Sequence, residues 1–332
     1  MEDRPPGKGG NTEDQKLTVE KQTVSKLAVE MLEEEHVPNG QEIGKRLKDV
    51  ITKQRRGLKK IYGATEAELD KNLRVPIKKG EEMARKLIDE MGCSRAIAKD
   101  LTVLTLYDVV ILIDDSDSMI YGEEGSRKKT LIQSIDHITE ICSMANESGI
   151  LAMTFMNHRG GKKNWTGKSQ EYLDHHNYGG ATRIGTELKK RILDKFVIGN
   201  PNQSKPLLVF IITDGGVEGE KRGHLKNVIR DCLNEREGAG KGFDAVAFQF
   251  SCIGNDPDAA RLLTDLDHDP DIGEYIDVFL VGSDFEGQLT DKWLVWDRQA
   301  NYNHIKVPHT FLIRRVPRVL VLEALDLEEE ER

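Results

Sequence analysis

Cysteine is scarce and scattered: Cys93, Cys142, Cys232 and Cys252 lie far apart, with no CxxC spacing among them. That excludes a disulfide framework and a cysteine-based zinc motif as the organising device. Buried free thiols in a reducing compartment are the expectation. Long apolar runs are also missing. None approaches the ~20 residues that cross a bilayer. The opening residues MEDRPPGKGGNTEDQK carry no apolar segment of a secretory signal. There is no excess of positive charge either. Lys and Arg number 48 against 57 Asp and Glu, a formal charge of −9, which argues against nucleic-acid binding by the chain as a whole. The expectation is a soluble, cytoplasmic protein without a membrane span.

The 332 residues suffice for one sizeable α/β domain with additions, or for two domains. Texture divides the chain into four parts. Residues 1–16 are Pro, Gly and charge, and are expected to be disordered. Residues 17–104 read as charged helices with a thin apolar stripe: Ile43, Leu47, Val50, Ile51, Leu58 and Ile61 keep helical spacing. There Thr65 and Glu68 form a capping box, a helix over 80–91 stops at Gly92, and Ser94 caps another. The basic run KQRRGLKK (53–60) reads as a solvated helix face. Residues 105–285 hold most of the apolar sequence. Residues 286–332 form a C-terminal extension with Trp293, Trp296, a Val/Leu-rich stretch over 311–322 and the acidic tail LDLEEEER.

From residue 105 onward, apolar runs alternate with helical patterns. The runs are YDVVILI, LAMTFMN, PLLVFIIT, FDAVAFQFSCIG and YIDVFLV, and the helices fall near 126–146, 182–196, 225–234 and 258–266. Alternation of this kind predicts an α/β fold with a doubly wound, mostly parallel sheet covered on both faces. In such sheets ligands lie outside the carboxyl ends of the strands.

The stretch VVILIDDSDSM turns abruptly from apolar to acidic. Asp114, Ser116 and Ser118 form a DxSxS pattern at the exit of the first predicted strand. Carboxylates and hydroxyls this close suit a hard cation such as Mg²⁺ or Mn²⁺. Two further strand-exit loops offer oxygen: NYGGATRIG carries Thr182, and FIITDGG carries Asp214. If their strands are neighbours, Asp114, Ser116, Ser118, Thr182 and Asp214 converge. Serine hydroxyls are neutral and leave the ion able to capture an external carboxylate.

This constellation resembles the von Willebrand factor A domain with its metal-ion-dependent adhesion site. The helical N-terminal region and the run LTLYDVVILIDDSDSM look, more loosely, like intracellular fungal proteins of that family. The resemblance covers about residues 105–285. It implies a bound Mg²⁺ or Mn²⁺, held directly by Ser116, Ser118 and Thr182 and through water by Asp114 and Asp214, with a partner protein's acidic residue completing the shell. The family consists chiefly of binding modules rather than enzymes. This sequence adds Ala181 between the glycines and Thr182, and has Asp117 where the family often has glycine.

Other readings are a metal-dependent phosphoryl-handling enzyme and a scaffold with a degenerate metal site. Asp115-x-Asp117 resembles a phosphatase nucleophile loop, but Asp114 pairs with Ser116 instead. Gly167-Lys168-Ser169 lacks a glycine at phosphate-loop spacing. DLDHDPDIGE has Pro270 at the turn position of a calcium loop and reads as a solvated acidic turn. His175 and His176 read as surface-loop histidines, and His137 and Cys142 as packing residues. Lys162, Lys163 and Lys168 read as a solvated loop.

Overall fold

A computed structural model describes residues 36–281 of the chain. The expectations for residues 1–16 and for the C-terminal extension with Trp293 and Trp296 lie outside the described residues.

The described part opens with helices. Helix α1 (Gly40–Asp49) starts at a capping box in which Asn39 and Glu42 satisfy each other's backbone N–H groups. Its apolar stripe continues through a π-turn at Val50–Gln54 and breaks at Arg55, where the helical spacing suggested continuity to Ile61. Most of the stripe is fully buried: Ile43, Leu47, Val50, Ile51 and Leu58 have at most 1% exposure, and Ile61 is half-buried. Helix α2 (Glu66–Asn72) carries the Thr65–Glu68 capping box. Helix α3 (Arg74–Asp89) begins six residues before the expected start, because Pro76 in the first turn has no N–H to lose there. Ser94 caps α4 (Arg95–Leu101).

Six strands follow in one sheet: β1 (Asp108–Ile113), β2 (Ile150–Phe155), β3 (Lys162–Trp165), β4 (Leu207–Thr213), β5 (Val246–Ile253) and β6 (Ile276–Val281). Their spatial order is β3-β2-β1-β4-β5-β6. All pairings are parallel except β2 with β3. The edge strand β3 lies in the segment read as a solvated loop. Its sequence KKNW has exposed lysines and no apolar alternation, so only the pairing with β2 marks it.

Helices α5 (Ser126–Ala145), α6 (Ile184–Glu187, running on through a π-segment to Phe196), α7 (His224–Gly238) and α8 (Pro257–Asp267) cover the sheet. Even-numbered residues of β1, Val110 and Leu112, join Ile184, Leu188, Ile229 and Leu263 in the core under α6, α7 and α8. Alternation sends Val109, Ile111 and Ile113 to the opposite face, where α5 packs against β2 and β5 and also against α3. The fold is α/β and doubly wound, as the alternating texture predicts.

The N-terminal helices pack on this layer rather than standing apart. In the basic segment at 53–60, Lys53, Arg56 and Lys60 are exposed, as a solvated face requires, but the segment is also tied to the sheet layer. Arg55 donates to the Glu274 carbonyl at 2.9 Å, Gly57 N–H donates to Asp244 at 2.8 Å, and Lys60 pairs with Glu237 at 2.5 Å.

All four cysteines are free and buried. Burial pushes the thiols of Cys93, Cys142 and Cys232 up to about 12 and that of Cys252 to about 11. The reactive species is the thiolate. Ellman's reagent at pH 8 should therefore find almost no thiol in the native chain and four after denaturation. Rapid reaction of even one native thiol would contradict this packing.

Candidate metal centre

The chain moves outward from β1 to β2 and β3, then returns to place β4 on the other side of β1. The β1–β4 boundary is therefore the switch point of the sheet, where a crevice opens at the carboxyl ends of the strands. The loops carrying Asp114 and Asp214 leave the sheet on either side of that crevice.

Asp114 is fully buried. Its Oδ1 accepts the Ser116 N–H at 3.0 Å and its Oδ2 accepts the Thr213 hydroxyl at 2.7 Å. Thr213 Oγ1 in turn accepts the Gly215 N–H at 2.9 Å. The Ser116 and Ser118 hydroxyls stand 3.0 Å apart. Burial pushes the Asp114 carboxyl up to about 6, and the nearby Asp214 charge adds to the rise, against the Thr213 and Ser116 hydrogen bonds.

Gly215 has φ +90°, and a Cβ there would stand 2.3 Å from the Ala259 Cβ. The tight turn of the TDG loop against α8 thus requires glycine.

The Thr182 loop is tied to both neighbours. Gly179 N–H donates to the Asp115 carbonyl at 2.7 Å, and the Thr182 carbonyl accepts the Glu218 N–H at 3.0 Å. Glu220 also accepts the N–H groups of Gly185 and Thr186, each at 3.0 Å, at the start of α6. The three loops singled out in the sequence therefore meet, with Asp114, Ser116, Thr182 and Asp214 buried and Ser118 exposed. Asp117 is also exposed.

Two features escaped the sequence reading. The first is Arg127, in the first turn of α5, whose Nη1 donates to Asp214 Oδ2 at 2.7 Å. As one cation in a helical pattern, it carried no signal. The second is Asp115, also fully buried. Successive residues split between neighbours: Asp114 turns to β4, and Asp115 turns to the loop after β2. Asp115 Oδ1 accepts the Asn157 N–H at 2.7 Å, and Oδ2 accepts the His158 N–H at 3.0 Å. Oδ2 also lies 2.8 Å from His158 Nδ1 and 2.9 Å from His176 Nε2.

His176 is thus no surface-loop histidine. Its side chain is 7% exposed and stacks on Phe155 at 3.5 Å between ring centroids, 14° from parallel. Burial lowers its pKa, against the pull of Asp115. His175 is exposed, as expected.

The remaining motifs have structural roles. Ser169 of the GKS run follows the antiparallel edge strand, and its N–H and hydroxyl both go to Asp136, at 2.7 and 2.6 Å. Within the acidic turn, Asp269 accepts the N–H groups of Asp271 and Ile272 at 3.0 and 3.3 Å. Among the described residues no helix is long and apolar enough to cross a membrane.

No family model and no curated protein matches this chain. Among solved structures the chain is similar to proximal thread matrix protein 1 from the mussel byssus, at 19% identity and a TM-score of 0.37. The match covers 57% of this chain and 47% of that one, so the chain spans about half the length of that structure.

Proposed function

We propose that this chain is a divalent-cation-dependent protein-interaction module of the von Willebrand factor A type, working in the cytoplasm. The observation that carries the reading is the pair of serine hydroxyls 3.0 Å apart beside the buried Asp114, at the switch point of the sheet. Bonds of about 2.1 Å put adjacent ligands of an octahedral ion roughly 3 Å apart, so the serine pair fits two neighbouring positions of such a shell. The donor set is all oxygen, which suits Mg²⁺ or Mn²⁺. Ser116, Ser118 and Thr182 would hold the ion directly, and Asp114 and Asp214 through water. An acidic residue of a partner protein would complete the shell. Four buried, unpaired thiols support the reducing compartment.

Mg²⁺ calorimetry on the wild type and on Asp114→Asn tests the reading. The variant removes the charge and keeps the shape, and it should lower Mg²⁺ affinity at least tenfold. Capture of a partner from lysate should then fail in chelator. Equal affinity in the two proteins would refute the assignment.

The same titration has a pH signature. Below about pH 6 the ion must displace a proton from Asp114, so affinity should fall about tenfold from pH 7 to pH 5 and level off above pH 7. Without the cation, the folded chain holds that proton more tightly than the unfolded chain, whose carboxyl titrates near 3.8. Cation-free stability should accordingly fall as pH rises from about 4 to about 6 and be flat beyond, as far as Asp114 decides it.

A further inference from the structure

We propose that Asp115, His158 and His176 hold a second divalent ion, of the zinc class, separate from the all-oxygen site and independent of the interaction reading. Their ligand atoms, one carboxylate oxygen and two imidazole nitrogens, all lie within 4.8 Å of one another. Imidazole with one carboxylate selects Zn²⁺ and its transition-metal neighbours over Mg²⁺.

The supporting contacts are those such a site needs. Asp115 Oδ1 is held by the Asn157 N–H, which leaves Oδ2 facing both rings. Stacking on Phe155 fixes the plane of His176. His158 is positioned by its own backbone N–H, which donates to Asp115, and by its carbonyl, which accepts from Arg191 at 3.1 Å. Groups that orient ligands in this way govern affinity at metal sites. The Tyr178 hydroxyl is buried and has no hydrogen-bond partner among the described residues, and its ring packs edge-on against His176 at 5.1 Å.

The present distances of 2.8 and 2.9 Å are those of hydrogen bonds. With bonds of about 2.1 Å, ligands around an ion stand roughly 3 Å apart in an octahedral shell and roughly 3.4 Å in a tetrahedral one. Lengthening the two nitrogen–oxygen separations by a few tenths of an ångström brings them to these values. His158 and His176 also line a cavity of about 590 Å³ with Arg159, Lys162 and Lys168. Those cations are exposed and solvated, whereas the Asp115 charge is buried. Three protein ligands beside a cavity leave a coordination position open to exchange, which marks catalytic rather than structural zinc sites.

The test is Zn²⁺ binding to the full chain, read by metal retained after dialysis and by the imidazole proton resonances of His158 and His176. Wild type should retain one equivalent at this site, and both rings should shift. His176→Asn and His158→Gln should each lower affinity by at least about a hundredfold, since losing a ligand exceeds the loss of an outer contact. The Ser116→Ala/Ser118→Ala double variant should bind zinc as wild type does, which separates this site from the proposed Mg²⁺ site. His158 is 39% exposed, so His158→Gln remains informative should His176→Asn fail to fold. Absence of zinc from the dialysed wild type, or undiminished binding in His158→Gln, would overturn the proposal.

Discussion

Arg127→Met is expected to lower the melting temperature in chelator and to tighten Mg²⁺ binding. Arg127 lies in the first turn of α5, where the helix dipole disfavours a cation. Its position follows from Asp214, whose side chain is 5% exposed and has the guanidinium 2.7 Å away. Without the arginine, that carboxylate is buried without its counter-charge, beside a second buried carboxylate, Asp114. Breaking a buried pair in this way costs about 3 kcal/mol, which for a folded unit of this size is a fall of roughly 10 °C. Methionine keeps much of the side-chain length where the guanidinium packs against Gly122. The same change removes a positive charge that would compete with the proposed ion for Asp214. Mg²⁺ affinity should rise at least tenfold, and Mg²⁺ should restore much of the lost stability by mass action. Melting curves with and without Mg²⁺, alongside calorimetry, check both halves. Weaker Mg²⁺ binding in the variant would show that the guanidinium supports the site rather than standing in for its ion.

Arg127 also shows where sequence stops being informative. The strands were legible because a sheet covered on both faces demands continuous apolar runs, and β1, β4 and β5 supply them. Asp114, Ser116, Ser118 and Asp214 were legible as loop residues because each stands just past the end of β1 or β4, a local property; Thr182, expected at a strand exit as well, instead follows the short helix Gln170–Asp174 and leads into α6. β3 was not, since KKNW is an exposed edge held only by its pairing with β2. His176 was not, because a histidine in a polar loop looks solvated until Phe155 and Asp115 are placed beneath it. The Asp115–His158–His176 cluster depends on β1 and β2 being neighbours, which is topology. Its one visible trace is that Asp115 and His158 each follow a strand closely.

Asp115→Ala is expected to be the more damaging change, although Asp114 is its equal in burial. Asp114 is a reluctant anion: its carboxyl is pushed up to about 6, so removing its charge relieves a desolvation penalty along with two hydrogen bonds. Asp115 accepts the backbone N–H groups of Asn157 and His158 and faces a nitrogen of each of two imidazoles. Alanine leaves all of these without their acceptor, and water from the neighbouring cavity offsets part of the loss. Stranded buried donors cost ~1–3 kcal/mol each, with partial relaxation, so a loss of about 4 kcal/mol is expected in chelator. Asp115→Asn keeps one acceptor oxygen but turns an NH₂ toward donors, and should fall about midway. The near-ultraviolet circular dichroism should change as well, because Phe155, His176, Tyr172, Tyr178 and Trp165 form a chain of ring contacts around the site. An Asp115→Ala protein within 1 kcal/mol of wild type would mean that the loop after β2 is held by something other than this carboxylate, and the two histidines would then owe their positions to packing alone.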